Sequence, residues 1–236
     1  MQVCLVHTLG TVDYAHAWSL QKSLAAERGQ NQRTDTLLLL EHPPTYTLGS
    51  SGKMEHLLFD ETERAKRGIS VHYVDRGGDI TYHGPGQLVG YPIIQLPRSN
   101  DGLRTDVVGY MRDLEEVLIQ ALAPFDITGE RLSGYTGVWV NVQGELQKIA
   151  AIGVKVTVKG VTFHGFALNV NTNLDYFRGI IPCGIRDKPV TSMEKILGHS
   201  INMNGVIDAV TMAFGDIFNR DMRIETRLPS AIPHTN

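Results

Sequence analysis

The sequence predicts one α/β domain of the α+β kind, with a mixed, largely antiparallel sheet and flanking helices. Segments with helical spacing are separated by strand-like segments that follow one another in pairs and triples, which favours antiparallel pairing over a doubly wound parallel sheet. No internal repeat, low-complexity linker or shift in composition divides residues 1–236. We therefore expect residues 1–236 to form a single catalytic domain.

The first half of the chain begins with a predicted helix over residues 13–28. Apolar residues recur there at helical spacing after Asp13, a residue type suited to an N-cap. The following TLLLLEH is an apolar segment that predicts a buried strand, and HPP at 42–44 ends it because proline lacks a backbone N–H. The segments VHYVD, DITYH and LVGYPIIQL predict further strands.

The second half begins with a predicted amphipathic helix that runs from Val107 to Leu122 and is closed by Pro124. Three segments rich in β-branched and aromatic residues follow: GVWVN, KIAAIGVKVTV and VTFHGFALNV. Lys159-Gly160 lies between the last two segments and suits a hairpin turn. A last helix is predicted from Val206 to Phe218 because its apolar residues recur at helical spacing.

Composition excludes several classes of protein. The formal net charge is −3 and no run of like charge stands out, so broad attraction to nucleic acid is not expected. The two cysteines, Cys4 and Cys183, lie at opposite ends of the chain, which excludes a disulfide framework and a cysteine-rich zinc site. No stretch has the length of apolar sequence that spans a bilayer, and no transit or signal segment is recognisable. We expect a cytoplasmic protein, or an organelle stroma or matrix protein after removal of a transit peptide.

Residues 76–87, RGGDITYHGPGQ, concentrate glycine, arginine and histidine in one loop-like stretch. A phosphate-binding P-loop is excluded because no Lys-Ser or Lys-Thr follows a glycine here. The dinucleotide-binding fingerprint is excluded as well, since the third glycine after Gly84 and Gly86 would fall at Val89. The glycines therefore need another explanation.

Cys183 is the candidate nucleophile. It follows Pro182, which stiffens the approach to it, and precedes Gly184, which leaves room beside the sulfur. The alternative is a small buried hydrophobic residue, the usual state of a free cysteine and the one expected for Cys4.

Lys148 is the leading candidate for the cation that would lower the pKa of such a thiol. It begins the strand KIAAIGVKV, and the alternative is a solvated lysine at a strand end. His83 and His164, both flanked by glycine, are alternative bases that could instead be structural histidines.

Several motifs together resemble the lipoyl(octanoyl) transferases. RGGDITYHGPGQLVGYP, KIAAIGVKV, FHGFALNV and IPCGI occur in the order and spacing of that family, and EHPPTYTLG and TGVWV belong to the same pattern. The resemblance implies a biotin/lipoate ligase-like fold. It also implies transfer of an octanoyl group from octanoyl-acyl carrier protein to a specific lysine of lipoyl domains, through a thioester on Cys183 with Lys148 as its activating base.

The resemblance implies further expectations about the site and its partners. No cofactor and no metal are expected, and the acceptors are the lipoyl domains of 2-oxoacid dehydrogenase complexes and the glycine cleavage H protein. Nucleic acid and membrane are not expected partners. The acyl pocket is expected to be walled by three segments, namely Arg76, Gly77, Gly78, Asp79, Ile80, Thr81, Tyr82 and His83, then Ala151, Ile152 and Gly153, and finally Gly165, Phe166 and Ala167. Backbone N–H groups of Gly77, Gly78 or Gly153 are candidates for stabilising the oxyanion.

Two alternatives remain at this point. One is an ATP-dependent lipoate or biotin ligase of the same fold, which would need no Pro-Cys-Gly nucleophile. The other is a module that binds the carrier protein or a lipoyl domain without reacting. Because both kinds of partner are acidic, local basic residues are expected near the pocket mouth, with Lys148, Lys155, Lys159, Arg186 and Lys188 as candidates.

Overall fold

The computed structural model describes residues 1–97, 105–182 and 188–226. Strands in these ranges are β1 (Gln2–Thr11), β2 (Asp35–Glu41), β3 (Thr45–Leu48), β4 (Ser70–Tyr73), β5 (Ile80–His83), β6 (Gln87–Ile93), β7 (Gly129–Glu130), β8 (Val138–Val142), β9 (Glu145–Val156), β10 (Thr162–Asn169) and β11 (Arg220–Ile224). The α-helices are α1 (Tyr14–Gly29), α2 (Glu61–Lys66), α3 (Val107–Leu122), α4 (Met193–Leu197) and α5 (Met203–Phe218). Short 3₁₀ turns occupy Met54–His56, Ala123–Phe125 and Leu174–Gly179.

The described strands form two sheets. The larger one has eight strands in the order β11-β1-β2-β6-β10-β9-β8-β7, and the smaller has three in the order β4-β3-β5. In the larger sheet β1 pairs in parallel with β11 and with β2, whereas the other neighbours pair antiparallel. The predicted mixed, largely antiparallel fold class is therefore confirmed, although the prediction did not separate the small sheet from the large one.

Alternating side chains of the larger sheet pack into two separate layers. Leu37 and Leu39 of β2 point into a core closed by α3 and α5, whereas Leu38 and Leu40 point into a core closed by α1. The four leucines are almost fully buried, as predicted for this segment. A two-residue period thus explains why an apolar run without polar interruptions forms a central strand.

Helix α1 begins where the sequence predicted, because the Asp13 carboxylate accepts a hydrogen bond from the His16 N–H at 3.1 Å. The hairpin between β9 and β10 turns at residues 157–161, where Gly160 has a φ of 80° and its N–H donates to the Thr157 carbonyl at 2.8 Å. This turn fixes the register that places Ala151 opposite Ala167 and Gly153 opposite Gly165.

Several elements were not predicted from the sequence, most clearly β11 at one edge of the larger sheet and β1 beside it. They pair with each other in parallel from Gln2 opposite Arg220 to Val6 opposite Ile224, so β11 is held by a partner more than two hundred residues away in sequence. The sequence RDMRI of β11 carries three charges and has no apolar alternation that would predict a strand. Non-local pairing, rather than local preference, makes it one.

No helix in the described ranges is both long and apolar enough to cross a membrane.

Candidate active site

A cavity lies between the larger sheet and the loop that precedes β5. It contains ten of the residues predicted to wall an acyl pocket, together with three others that were not predicted as walls. The ten are Arg76, Gly78, Thr81, His83, Ala151, Ile152, Gly153, Gly165, Phe166 and Ala167, and the three are Tyr14, Tyr91 and His164. The fold therefore brings the three predicted wall segments together around one space.

Four predicted wall residues do not line this cavity. Because side chains of a strand alternate, Thr81 and His83 of β5 face the cavity while Ile80 and Tyr82 face the opposite way. Ile80 and Tyr82 pack with Tyr46 in the core of the small sheet. The remaining two residues, Gly77 and Asp79, make the polar contacts described next.

The Asp79 carboxylate joins neighbouring segments of backbone. Its Oδ1 accepts from the Ile80 N–H at 2.7 Å and from the Lys53 N–H at 3.1 Å, and its Oδ2 contacts Nδ1 of His56. The Gly77 N–H donates to the Val154 carbonyl at 3.0 Å, so it is already engaged and is a poor candidate for the oxyanion. Of the three glycines proposed for that task, Gly78 and Gly153 line the cavity.

Arg76 fixes the shape of the loop rather than projecting into solvent. Its Nη2 donates to the carbonyls of Thr47 at 2.7 Å and Asp79 at 2.8 Å, and to Oγ1 of Thr47 at 2.9 Å. The side chain is buried, and its Cδ lies 3.0 Å from the position that a Cβ on Gly153 would occupy. Residues with side chains at position 153 would therefore collide with Arg76, which explains one glycine of the pocket.

Tyr14 and Tyr91 form part of the end of the cavity that lies away from Lys148. Nδ1 of His42 lies 2.7 Å from the Val12 carbonyl, so it carries the proton, and Nε2 accepts from the Tyr91 hydroxyl at 2.7 Å. The ring of Tyr14 lies 5.0 Å from that of His42. Burial lowers the pKa of His42 to about 4, so this network is uncharged at neutral pH.

His164 reaches the cavity through an unusual backbone conformation. Its φ is 56°, a left-handed value that is rare for a residue other than glycine. Its N–H donates to Oε1 of Gln21 at 2.8 Å and its Nε2 donates to the Asp75 carboxylate at 3.0 Å. Nδ1 is buried and has no hydrogen-bond partner among the described residues. The sequence singled out this residue by its flanking glycine but did not place it in the pocket.

The two histidines considered as alternatives to Lys148 are neutral. Burial lowers the pKa of His164 to about 4 and holds the pKa of His83 well below its usual value. Nδ1 of His83 donates a hydrogen bond to Oε1 of Gln87 at 2.9 Å. Neither ring supplies a cation that would lower the pKa of a thiol at neutral pH.

Lys148 lies in a second cavity that adjoins the first. The two cavities share Thr81, Ala151 and Ala167, and the second also contains Pro182 and Val190. The Lys148 side chain is mostly buried, with 8% of the residue exposed, and Nζ lies 4.7 Å from the centre of the Trp139 ring. The alternative of a solvated lysine at a strand end is therefore wrong.

The backbone of Lys148 is held by the segment that follows residues 183–187. Its N–H donates to the Pro189 carbonyl at 2.9 Å, and its carbonyl accepts from the Thr191 N–H at 2.9 Å. Cys183 and Arg186 themselves lie outside the described residues. Cys4 is fully buried and burial raises the pKa of its thiol to about 12, as expected for an inert hydrophobic residue.

A cleft opens beside Pro182 on the outer side of the second cavity; we call it the basic cleft. Its apolar wall includes Phe177, Ile181 and Val190, and its basic side chains are Arg178, Lys188 and Lys195; none of its described lining residues is acidic. Lys159, by contrast, packs against Gly29 at the opposite end of β9. Of the basic residues predicted near the mouth, Lys188 lines this cleft and Lys148 lines the adjoining second cavity, whereas Lys155 and Lys159 line neither.

No group of three or more histidine, cysteine or acidic side chains in the described ranges is arranged to hold a metal ion.

Comparison with known protein families gives one match over most of the chain. The family described as the lipoyl protein ligase A/B catalytic domain matches residues 13–215. Curated relatives include the octanoyltransferase of Chloroflexus aurantiacus, which is 47% identical over 225 residues and aligns with 95% of this chain and 98% of its own. The octanoyltransferase of Koribacter versatilis is 48% identical over 217 residues, covering 92% of this chain and 85% of its own.

Solved structures share the fold at much lower identity. A bipartite lipoate protein ligase from Thermoplasma acidophilum superposes with a TM-score of 0.73 at 18% identity, covering 96% of this chain and 88% of that one. A lipoate-protein ligase A bound with ATP gives a TM-score of 0.70 at 18% identity, covering 96% and 90%. These similarities establish the architecture of the chain.

Proposed function

Since the chain belongs to the lipoyl protein ligase A/B catalytic-domain family, we propose that it is an octanoyltransferase. Residues 1–236 act as one catalytic domain that moves an octanoyl group from octanoyl-acyl carrier protein to a lysine of lipoyl domains. The curated relatives named octanoyltransferase support this activity over that of a ligase, because they match at 47–48% identity whereas the ligases match in structure at 18%.

The placement of Lys148 is the observation that carries the proposed mechanism. Pro182 lines the same cavity as Lys148, and the segment from Pro189 to Thr191 is hydrogen-bonded to the Lys148 backbone. The chain therefore enters and leaves residues 183–187 beside Lys148. Position 183 is next to Pro182 and six residues before Pro189 in the sequence. This closeness to both residues supports the proposed pairing of Cys183 with the Lys148 ammonium group.

In the first half-reaction the Cys183 thiolate attacks the carbonyl carbon of the donor thioester. The carbon–sulfur bond to the carrier breaks, the departing thiolate takes a proton from Lys148, and the octanoyl group remains on Cys183 as a new thioester. A cation beside the thiol keeps it ionised before attack, and the same group is then a neutral amine able to accept a proton.

In the second half-reaction the side-chain amine of the acceptor lysine attacks the Cys183 thioester. An amide bond forms, the bond between sulfur and the carbonyl carbon breaks, and Lys148 takes the proton lost by the attacking amine. The enzyme returns to its thiolate and ammonium state. Proton transfer is thus balanced over the two halves without any external acid or base.

The adjoining cavities are proposed to hold the acyl chain. Ala151 and Ala167, which line both of them, connect Lys148 with the part of the cavity lined by Gly153 and Gly165. Small residues at these positions leave room for a linear chain. Burial of about seven methylene or methyl groups at roughly 0.8 kcal/mol each would contribute several kcal/mol of binding free energy.

The basic cleft is proposed to receive the acidic protein partners. It adjoins Pro182 and combines apolar side chains with Arg178, Lys188 and Lys195. Attraction between the basic side chains of this cleft and an acidic partner raises the rate of association even when the total charge of the chain is −3. Docking in this cleft would bring the partner beside Pro182, the residue that precedes the proposed nucleophile.

Mass spectrometry of the protein after mixing with octanoyl-acyl carrier protein tests the mechanism. We expect one octanoyl adduct on Cys183, loss of the adduct and of transfer in Cys183→Ser, and retention of both in the matched variant Cys4→Ala. Near-normal transfer by Cys183→Ser would contradict the mechanism. Transfer that requires ATP and free octanoate would instead establish a ligase.

A further inference from the structure

The residues that line the cavity proposed to hold the acyl chain follow one another in a definite order along the sheet. Asn169 and Ala167 of β10 lie near Lys148, Gly165 comes next along the same face, and His164 is the cavity-lining residue of β10 farthest from Lys148. At about 3.3 Å per residue, the strand from Asn169 to His164 spans roughly 16 Å. On the neighbouring strand β6, Gly90 is opposite Phe166, so the next residue, Tyr91, lies beside Gly165 at this end of the cavity.

A regular strand would not place the His164 ring in the cavity. Side chains alternate between faces, so a regular strand would put His164 on the face of Phe166, which packs in the core closed by α3 and α5. The φ of 56° at His164 breaks this alternation, and its ring lies instead on the α1 face, 6.2 Å from the ring of Trp18. A left-handed conformation in a non-glycine residue costs free energy and persists where the surrounding structure imposes it.

The ring of His164 is fixed in that place by contacts on several sides. Nε2 donates to the Asp75 carboxylate, which also accepts from Nε1 of Trp18 at 3.2 Å. The ring stacks on Phe163 with centroids 5.0 Å apart. The backbone N–H is bound by Gln21, and the whole residue is 1% exposed. A longer acyl chain would have to break these contacts in order to push the ring aside.

We propose that His164 is the floor of the acyl cavity and determines the length of chain that the enzyme accepts. This assignment rests on the proposed octanoyl transfer and adds to it the residue that selects octanoyl from longer acyl groups. His164 acts as a specificity-determining residue, with Asp75 and Gln21 as the residues that position it. It takes no part in bond making at the thioester.

Substitutions at position 164 must respect its backbone conformation. His164→Gly removes the ring and suits a positive φ, while His164→Asn leaves a smaller polar side chain of a type that also tolerates this region. Val161→Ala is the matched control: Val161 lies three residues before His164 and is fully buried, but it is neither among the residues that line the cavity nor among those that hold the His164 ring. Loss of the two methyl groups of Val161 should lower stability without moving the floor.

Two measurements test the proposal. The first is the binding of hexanoate, octanoate, decanoate and dodecanoate, followed by thermal shift of the full chain. The second is kcat/KM for the corresponding acyl-carrier-protein thioesters. In the unaltered protein affinity should rise about fourfold per methylene up to octanoate and then fall. In His164→Gly the optimum should move to decanoate or dodecanoate, in His164→Asn it should move less, and in Val161→Ala it should remain at octanoate.

The binding measurement keeps this proposal separate from the proposed function. If the chain transfers no octanoyl group but binds fatty acids, the shift of the optimum in His164→Gly still tests the floor. An optimum that stays at octanoate in the Gly and Asn variants, or a uniform loss at every length, would overturn the assignment. Absence of binding of any of these acids to the unaltered protein would overturn it as well. If His164→Gly does not fold, the Asn variant decides.

Discussion

Three buried histidines around the cavity, His42, His83 and His164, are held in their neutral form. Burial lowers the pKa of His42 and of His164 to about 4 and that of His83 well below its usual value. In the unfolded chain each would titrate near pH 6.5. Between these values the unfolded state binds protons that the folded state does not, so stability is lost as the pH falls from about 6.5 towards 4.

We therefore expect the free energy of unfolding to fall by about 1.4 kcal/mol per pH unit for each of these histidines below pH 6.5. His42→Gln should reduce the total slope by the contribution of one proton, about 1.4 kcal/mol per pH unit, because position 42 no longer titrates. Urea unfolding at several pH values between 7 and 4.5 measures the slope. His16→Gln, on the exposed side of α1, is the control and should follow the unaltered protein. Equal slopes in the two variants would contradict the prediction.

Lys148 allows a second prediction at the level of one residue. Replacing a cation beside a thiol raises its pKa, by about one to three units for a close charge. The rate of iodoacetamide alkylation of Cys183 against pH should therefore shift to higher pH in Lys148→Met. Lys155→Met, on the exposed part of β9, should give the curve of the unaltered protein. A curve that does not move in Lys148→Met would assign another role to this lysine.

At the scale of elements, β3 and the Arg76 loop depend on each other. The N–H groups of Gly49 and Ser50 donate to the carbonyls of Asp79 at 3.2 Å and Arg76 at 2.9 Å. A Cβ on Gly49 would lie 2.7 Å from Nη1 of Arg76 and closer still to the Gly78 carbonyl. The turn after β3 therefore holds the cavity wall in place through backbone contacts that need glycine at position 49.

We expect Gly49→Ala to lower stability by about 1–3 kcal/mol, as overpacking in a core does, and to reduce octanoyl transfer by displacing the Arg76 loop. Gly205→Ala is the matched control, since a Cβ there meets no atom closer than Phe125 at 3.9 Å. It lies in the first turns of α5 and should raise stability by up to about 1 kcal/mol. Urea unfolding and a transfer assay on both variants test this. Equal effects of the two substitutions would show that the close contact does not matter.

At the scale of the whole molecule, the two sheets and the segment after β10 create the site together. The larger sheet supplies Lys148 and the glycine and alanine walls, and the small sheet supplies Thr81 and His83. Residues 174–182 and 188–190 bring basic and apolar side chains to the outer edge. If partners dock in the basic cleft as proposed, local charge at this edge, rather than the total of −3, steers their approach.

Lys188→Glu should accordingly lower kcat/KM for octanoyl-acyl carrier protein more than kcat, because it weakens association rather than chemistry. Lys159→Glu, at the opposite end of β9, should have little effect. The kcat/KM of the unaltered protein should also fall with salt, since the Debye length shrinks from about 10 Å at 0.1 M to about 3 Å at 1 M. If kcat/KM does not change with salt, docking depends on apolar contact instead.

The sequence by itself determined the fold class, the main helices and strands, and the approach of the three predicted wall segments. The helices and strands follow from local signals such as the Asp13 cap and the leucine run of β2, whose physical causes lie within a few residues. The approach of the wall segments was implied by the resemblance of the motifs to a known family. Only the tertiary structure decided that β11 is a strand, that Ile80 and Tyr82 turn away from the cavity, and that His164 lines it. Those outcomes depend on strand pairing across distant parts of the chain, on which face of β5 meets a core, and on a backbone conformation imposed by contacts with Gln21 and Asp75. No local pattern encodes them, because the partners that stabilise them are brought together only by folding.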